Sequence, residues 1–216
     1  MKDGEAAVDK PQTVQRRRYS PEVRRSMILD AAAEIIARDG IAQLSLERIG
    51  QNAGVSKSLM YNYFDSLTEL LKELLDRELK DLQRVQYKAA AKATTFEELV
   101  RNITRAHLRH IDERGLIIER LQSEPSVTGM HDLTDYGRGI AVDYLANIVH
   151  KTFNVPMEVA RATTDVSFGL PSAAGRYMLR GEMDEQTLED LTVTMIIGSV
   201  VAIAEDYQTR RLALKR

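Results

Sequence analysis

Apolar residues recur along the chain at three- and four-residue steps, which predicts helices almost from end to end. Ser20-Pro21-Glu22 opens the first with a cap, an early proline and an early acid. Its apolar stripe is Ile28, Ala31, Ala32, Ile35 and Ile36, and Gly40 ends it. Ser45 can cap a short second helix carrying Leu46, Ile49 and Ala53 on one face. Gly54 stands where that helix must end and the chain reverse, a left-handed position that glycine adopts cheaply. Ser56 can cap a third helix, on which Ser56, Met60 and Phe64 share a face because they are four apart. Met60 and Phe64 are therefore expected inside.

A fourth helix runs from about Ser66 toward Ala90 with Leu70, Leu71, Leu74, Leu75, Leu79 and Leu82 inward. Thr95 to Arg114 follows, broken by Gly115, and a shorter helix through Leu121 stops before Pro125. Further helical segments span Thr128 to about Phe153, Pro156 to Leu179, and Asp184 to about Arg210. No segment alternates with period two, so the expected class is all-α. The last segment is unusual: Leu191, Val193, Met195, Ile196, Ile197, Val200, Val201, Ile203 and Ala204 leave almost no polar face. A helix apolar all round must be covered on every side. Either it is the central helix of its own domain, or, with Gly198, Ser199 and Ala202 interspersed, it packs against its twin in a dimer.

The second and third helices with their tight turn make the outline of a helix-turn-helix, whose second helix lies in the major groove of DNA. The outward face of that helix carries Ser58 and Asn62, with Lys57 and Tyr61 on one flank and Leu59 and Tyr63 on the other. Many donors and no carboxylate suit contact with a polyanion. The overall charge of −2 conceals a division. Residues 15–63 hold eight Lys or Arg against five Asp or Glu, a net +3. Residues 64–216 hold 20 against 24, a net −4, and the first 14 residues add −1. Positive charge thus gathers where a phosphate-binding surface needs it, but +3 is modest, so tight binding calls for two heads acting together.

Arg25-Ser-Met-Ile-Leu-Asp-Ala-Ala32, Gly40, Ser45, Ile49, Ala53-Gly-Val-Ser-Lys57, Tyr61-Asn-Tyr-Phe64 and Ser66 through Leu70 resemble the DNA-binding domain of TetR-type transcriptional regulators. The likeness covers about the first 75 residues. It departs at Gly50, where the family usually has Ala, and at Leu67, where a phosphate-touching Lys is frequent. The resemblance implies a three-helix reading head over 19–65 and a helical effector-binding and dimerisation domain over 66–216, while the polar, unpatterned residues 1–18 read as a flexible basic arm. DNA contact is then expected from Arg25, Ser45, Ser56, Lys57, Ser58, Leu59, Tyr61, Asn62 and Tyr63, with Leu59 placed to meet a thymine methyl. Ser45 and Ser56 can be caps alone or serve both purposes, and Arg16-Arg17-Arg18 in the arm either reaches the minor groove or stays solvated. The family pairs through its last two helices, which makes the dimer the adopted reading, with Phe168, Leu191, Met195, Gly198, Val201 and Ala202 at its interface. A twofold dimer predicts a near-palindromic double-stranded operator.

The resemblance also implies a small-molecule effector that releases the protein from DNA, held in a mostly apolar pocket. Its polar candidates are His107, His110, Arg120, His131, Tyr136, Tyr144, Thr164 and Tyr177. His107 and His110 share a face near Asp112, yet no second cluster completes a metal set, so neither metal nor cofactor is expected. There is no Glu-x-x-His pair, phosphate loop, nucleophile elbow or His-Glu-x-x-His, and an enzyme is not expected. The alternative is a helical ligand-binding protein without DNA activity. With no cysteine, no disulfide or thiolate metal site is available. The first residues are followed by no apolar run, and no stretch reaches 18 apolar residues. A cytoplasmic protein without membrane contact is the expectation.

Overall fold

The computed structural model describes residues 19–127 and 131–213, with side chains for 19–127 and 138–210. Its helices are α1 Pro21–Asp39, α2 Leu46–Asn52, α3 Lys57–Tyr61, α4 Leu67–Ala90, α5 Phe96–Arg114, α6 Ile117–Gln122, α7 His131–Phe153, α8 Met157–Ser167, α9 Leu170–Met178 and α10 Glu185–Ala213. A single 3₁₀ turn at Ile41–Gln43 joins α1 to α2. The fold is all-α, an N-terminal helix-turn-helix head joined to a larger helical body. The segment read as 156–179 is two helices, parted at Phe168-Gly169, with Pro171 in the first turn of the second.

The caps expected at Ser20 and Ser45 form on α1 and α2, and the structure adds two more at the starts of α4 and α5. Ser20, Ser45, Ser66 and Thr95 each accept a hydrogen bond from the amide three residues on. Ser56 differs: its backbone is extended at the start of α3, but its hydroxyl lies against Ser58 Oγ rather than on a helix amide.

One apolar core runs through the head and beyond it. Ile28, Ala32, Ile35 and Ile36 of α1 meet Ile49, Met60 and Phe64, and the cluster continues into Leu70, Leu71, Leu74 and Leu75 of α4 and Ile117 and Leu121 of α6. A second core joins α7, α8 and α10 through Ala146, Val149, Ala160, Val200 and Ala204. Phe96 and Phe153 close its edge with an edge-to-face contact, centroids 5.1 Å apart.

Two buried carboxylates tie the body together. Glu78 of α4 is closed off from solvent and receives Arg114 of α5 through both nitrogens of the guanidinium fork, with Arg77 alongside at 3.0 Å. Arg77 also reaches Asp30 of α1 at 2.8 Å. Glu189 of α10, equally buried, accepts Arg105 (2.7 Å) and Arg101 (3.1 Å) from α5. Buried carboxylates are tolerated only with partners of this kind, and removing one partner is costly. Residues 185–210 are long and apolar enough to cross a bilayer by length and composition. The Glu189 pairs and the packing of α10 on α5 and α9 make it a wall of the helical body.

Candidate nucleic-acid interface

The reading surface is built from the turn outward. Gly54 adopts φ +64°, reversing the chain between α2 and α3. Val55 N–H bonds Gly50 O at 2.8 Å, closing the turn from within. Gly50 of α2 faces Met60 of α3 with little room between them. A Cβ there would stand 2.8 Å from Met60 Cγ and 3.0 Å from the Val55 carbonyl oxygen. Glycine at this position therefore lets Met60 seat against α2. Met60 and Phe64 are wholly buried, which fixes the rotation of α3.

That rotation turns Lys57, Ser58, Tyr61 and Asn62 to solvent. Tyr61 is 46% exposed, a large share for an aromatic side chain. Tyr63 and Leu59 are half-buried and lean on the head core. Ser45 is occupied as a cap, and Ser56 is exposed. Arg25 is held within the head. Its Nε donates to Glu73 Oε1 (2.6 Å), a second nitrogen engages the same carboxylate, and Nη1 donates to Tyr63 O (2.8 Å). The guanidinium also covers the Phe64 ring at 4.4 Å. Arg25 thus clamps α1, the end of α3 and α4 together behind the reading helix. Arg48 is likewise engaged, with Asp39 and with Gln43 O (2.9 Å).

Two features here escaped the sequence reading. Lys57 Nζ lies 2.8 Å from Glu47 Oε1, an ion pair bridging α2 and α3 on the solvent side. Lys57 holds the Glu47 carboxyl below its usual range, with help from a backbone hydrogen bond at Glu47. The second is Arg120 of α6, which donates to the carbonyls of Ile36 and Ala37 (2.8 Å to the latter) in the last turn of α1. A cation at a helix C-terminus satisfies carbonyls that lack helix partners and complements the dipole. This contact joins head to body beside a cleft of about 470 Å³ lined by Arg38, Asp39, Gly40, Leu116, Glu119 and Arg120 among others.

The remaining ligand candidates are scattered. His107 lies inside the body between Gln86 of α4 (3.4 Å) and Ser172 of α9 (3.1 Å). Burial, and secondarily neighbouring His110, pushes its pKa down to about 4. The neutral ring then accepts from the Gln86 amide at Nδ1 and donates from Nε2 to Ser172. Burial also lowers the pKa of His110, whose Nε2 is enclosed without a partner, as is Thr164 Oγ1 of α8. Tyr144 is exposed, and Tyr177 donates to Glu182 Oε2 at 2.9 Å. The side chains of His131 and Tyr136, and the whole of Arg16-Arg17-Arg18, lie outside the described residues. Among the described residues no group of three His, Asp or Glu forms a metal set. On the body's outer face Val166 (83% exposed), Leu191 and Met195 (57%) stand in solvent, with Gly198 and Ala202 also open, while Phe168 and Val201 are half-buried.

Residues 28–74 match the family described as bacterial regulatory proteins, tetR family. The chain is 35% identical over 72 residues to the HTH-type transcriptional regulator BetI of Agrobacterium fabrum, covering 33% of this chain and 35% of that protein. It is 36% identical over 62 residues to the HTH-type transcriptional repressor SCO4008 of Streptomyces coelicolor, covering 29% and 32%. These matches span about a third of the length of each relative. Among solved structures, the TetR-like regulator LfrR of Mycobacterium smegmatis in complex with proflavine aligns with TM-score 0.64 at 21% identity, covering 82% of this chain and 96% of that one. The fatty acid degradation regulator FadR of Bacillus halodurans aligns with TM-score 0.68 at 19% identity, covering 83% and 96%. The shared fold therefore extends well beyond the region of sequence likeness. Each of these relatives is named as a regulator or repressor.

Proposed function

We propose, on the premise that this chain's N-terminal domain belongs to the tetR family of bacterial regulatory proteins, that the protein is a ligand-responsive transcriptional repressor. It binds a near-palindromic operator as a homodimer and leaves it when a small, largely apolar molecule occupies the body. The observation that carries this reading is the presentation of α3. Met60 and Phe64 lock its back into the core while Lys57, Ser58, Tyr61 and Asn62 face water together. Such a face fits the major groove, with Ser58 and Asn62 toward base edges and Lys57 and Tyr61 toward phosphates. Arg25 serves the same surface from behind, as the clamp that sets the tilt of α3 against α4.

Pairing is supported by the open apolar stripe Leu191, Met195, Gly198 and Ala202 on α10, at steps of four, three and four, and by the exposed Val166 of α8. A second copy covers this stripe and sets two heads on one face of DNA. Enclosed, unpartnered polar atoms at His110 and Thr164 mark places in the body where an effector can find a hydrogen bond. The structural relative that holds proflavine supports a ligand-binding body.

The test is equilibrium binding to a selected duplex, with circular dichroism and sedimentation as controls. Lys57→Ala is expected to weaken binding about tenfold or more, and Tyr61→Phe by several-fold, with helicity and assembly unchanged. Unchanged affinity in both variants would overturn the assigned face.

A further inference from the structure

Among the described residues, positive charge on the reading surface is sparse. Within residues 49–71 Lys57 is the one Lys or Arg, accompanied by Asp65 and Glu69. Three described cations of α1 and α2 are engaged elsewhere, Arg25 on Glu73, Arg38 on Asp39 and Arg48 on Asp39. Lys57 itself is bound to Glu47 at 2.8 Å, and both side chains remain open to solvent (68% and 45% exposed). Glu47 belongs to α2, so the pair spans the two helices of the motif on the side that faces DNA.

We propose that Glu47 is an electrostatic brake on DNA association, a residue that limits affinity by occupying the cation the phosphates need. The inference rests on the DNA-binding reading above. When the head meets a duplex, Lys57 has two courses. It exchanges Glu47 for a phosphate, leaving a carboxylate beside the polyanion, or it stays paired and contributes no net charge. In both courses the pair adds close to nothing to counterion release, which drives sequence-independent binding. Site selection then falls to the hydroxyl and amide groups of Ser58, Tyr61 and Asn62. The brake is uniform: it lowers affinity for every sequence and reduces retention on the great excess of unrelated DNA.

The experiment titrates wild type, Glu47→Gln, Lys57→Ala and the double variant against a selected duplex and a scrambled one, from low to moderate salt. The expected result is that Glu47→Gln tightens binding to both duplexes alike, about fivefold to tenfold for a two-headed protein. The slope of log affinity against log salt steepens by about one for each head that gains a phosphate contact. In the Lys57→Ala background the same substitution gives a clearly smaller gain, because there is no captive lysine to free. Thermal melting checks that Glu47→Gln leaves the fold intact. Equal gains with and without Lys57, or no gain at all while wild type binds, would overturn the brake and leave the functional reading standing. Failure of wild type to bind any duplex at low salt would overturn both.

Discussion

Gly50 shows how a single residue departs from its local rule for a tertiary reason. Inside a helix glycine costs roughly 1 kcal/mol against alanine, so Gly50→Ala should stabilise α2 on propensity alone. The approach of Met60 Cγ to 2.8 Å and of the rigid Val55 carbonyl to 3.0 Å predicts the opposite. We expect Gly50→Ala to destabilise the protein by about 1–3 kcal/mol in denaturant unfolding, and a gain in stability would refute the packing argument. From the sequence Gly50 reads only as a departure, because the side chain that requires it stands ten positions away across a turn. The Glu47–Lys57 pair was hidden for the same reason, since nothing local reveals how closely α2 and α3 cross. Glu78 also went unread, although its position carried a signal. It occupies the apolar stripe of α4 between Leu75 and Leu82, where a carboxylate signals a buried partner.

At the scale of elements, most helices and their caps follow from spacing and end signals, because amphipathic stripes and Ser or Thr caps are local. The break between α8 and α9 is likewise written in Gly169-Leu-Pro171, although helical spacing carries across it. What joins the elements is less visible. His107 bridges α4, α5 and α9 as a neutral ring, a role that its sequence neighbours do not declare. Its folded pKa of about 4 lies below the ordinary value of 6.5. The unfolded chain therefore takes up a proton that the folded chain refuses, so stability falls as pH drops from 6.5 toward 4 and is unaffected by this group above that window. Fully expressed, the loss is on the order of 3 kcal/mol. Urea unfolding of wild type and His107→Gln at pH 7.5 and pH 4.5 checks it. Wild type should lose more stability on acidification than the variant, and equal losses would show that the imidazole is not held neutral by the fold.

For the whole molecule, the open stripe on α10 and the modest charge of the head are what the proposed dimer accounts for together. A lone head with one captive lysine on its reading helix is a weak ligand for DNA, whereas two heads fixed by a shared body combine their contacts. The apolar run in α10 was plain in the sequence. Which of its faces packs inside and which stays open came only from the fold, through Val193, Val200 and Ala204 buried on one side and Leu191 and Met195 exposed on the other. Met195→Glu is expected to yield monomers in sedimentation while leaving helicity intact, and a dimer of normal stability would place the interface elsewhere. The central claim, a dimeric site-specific DNA reader, is tested most directly by selecting bound sequences from a random duplex library with the purified protein and no added ligand. The account predicts enrichment of one twofold-symmetric consensus, and no enrichment at low salt would contradict it.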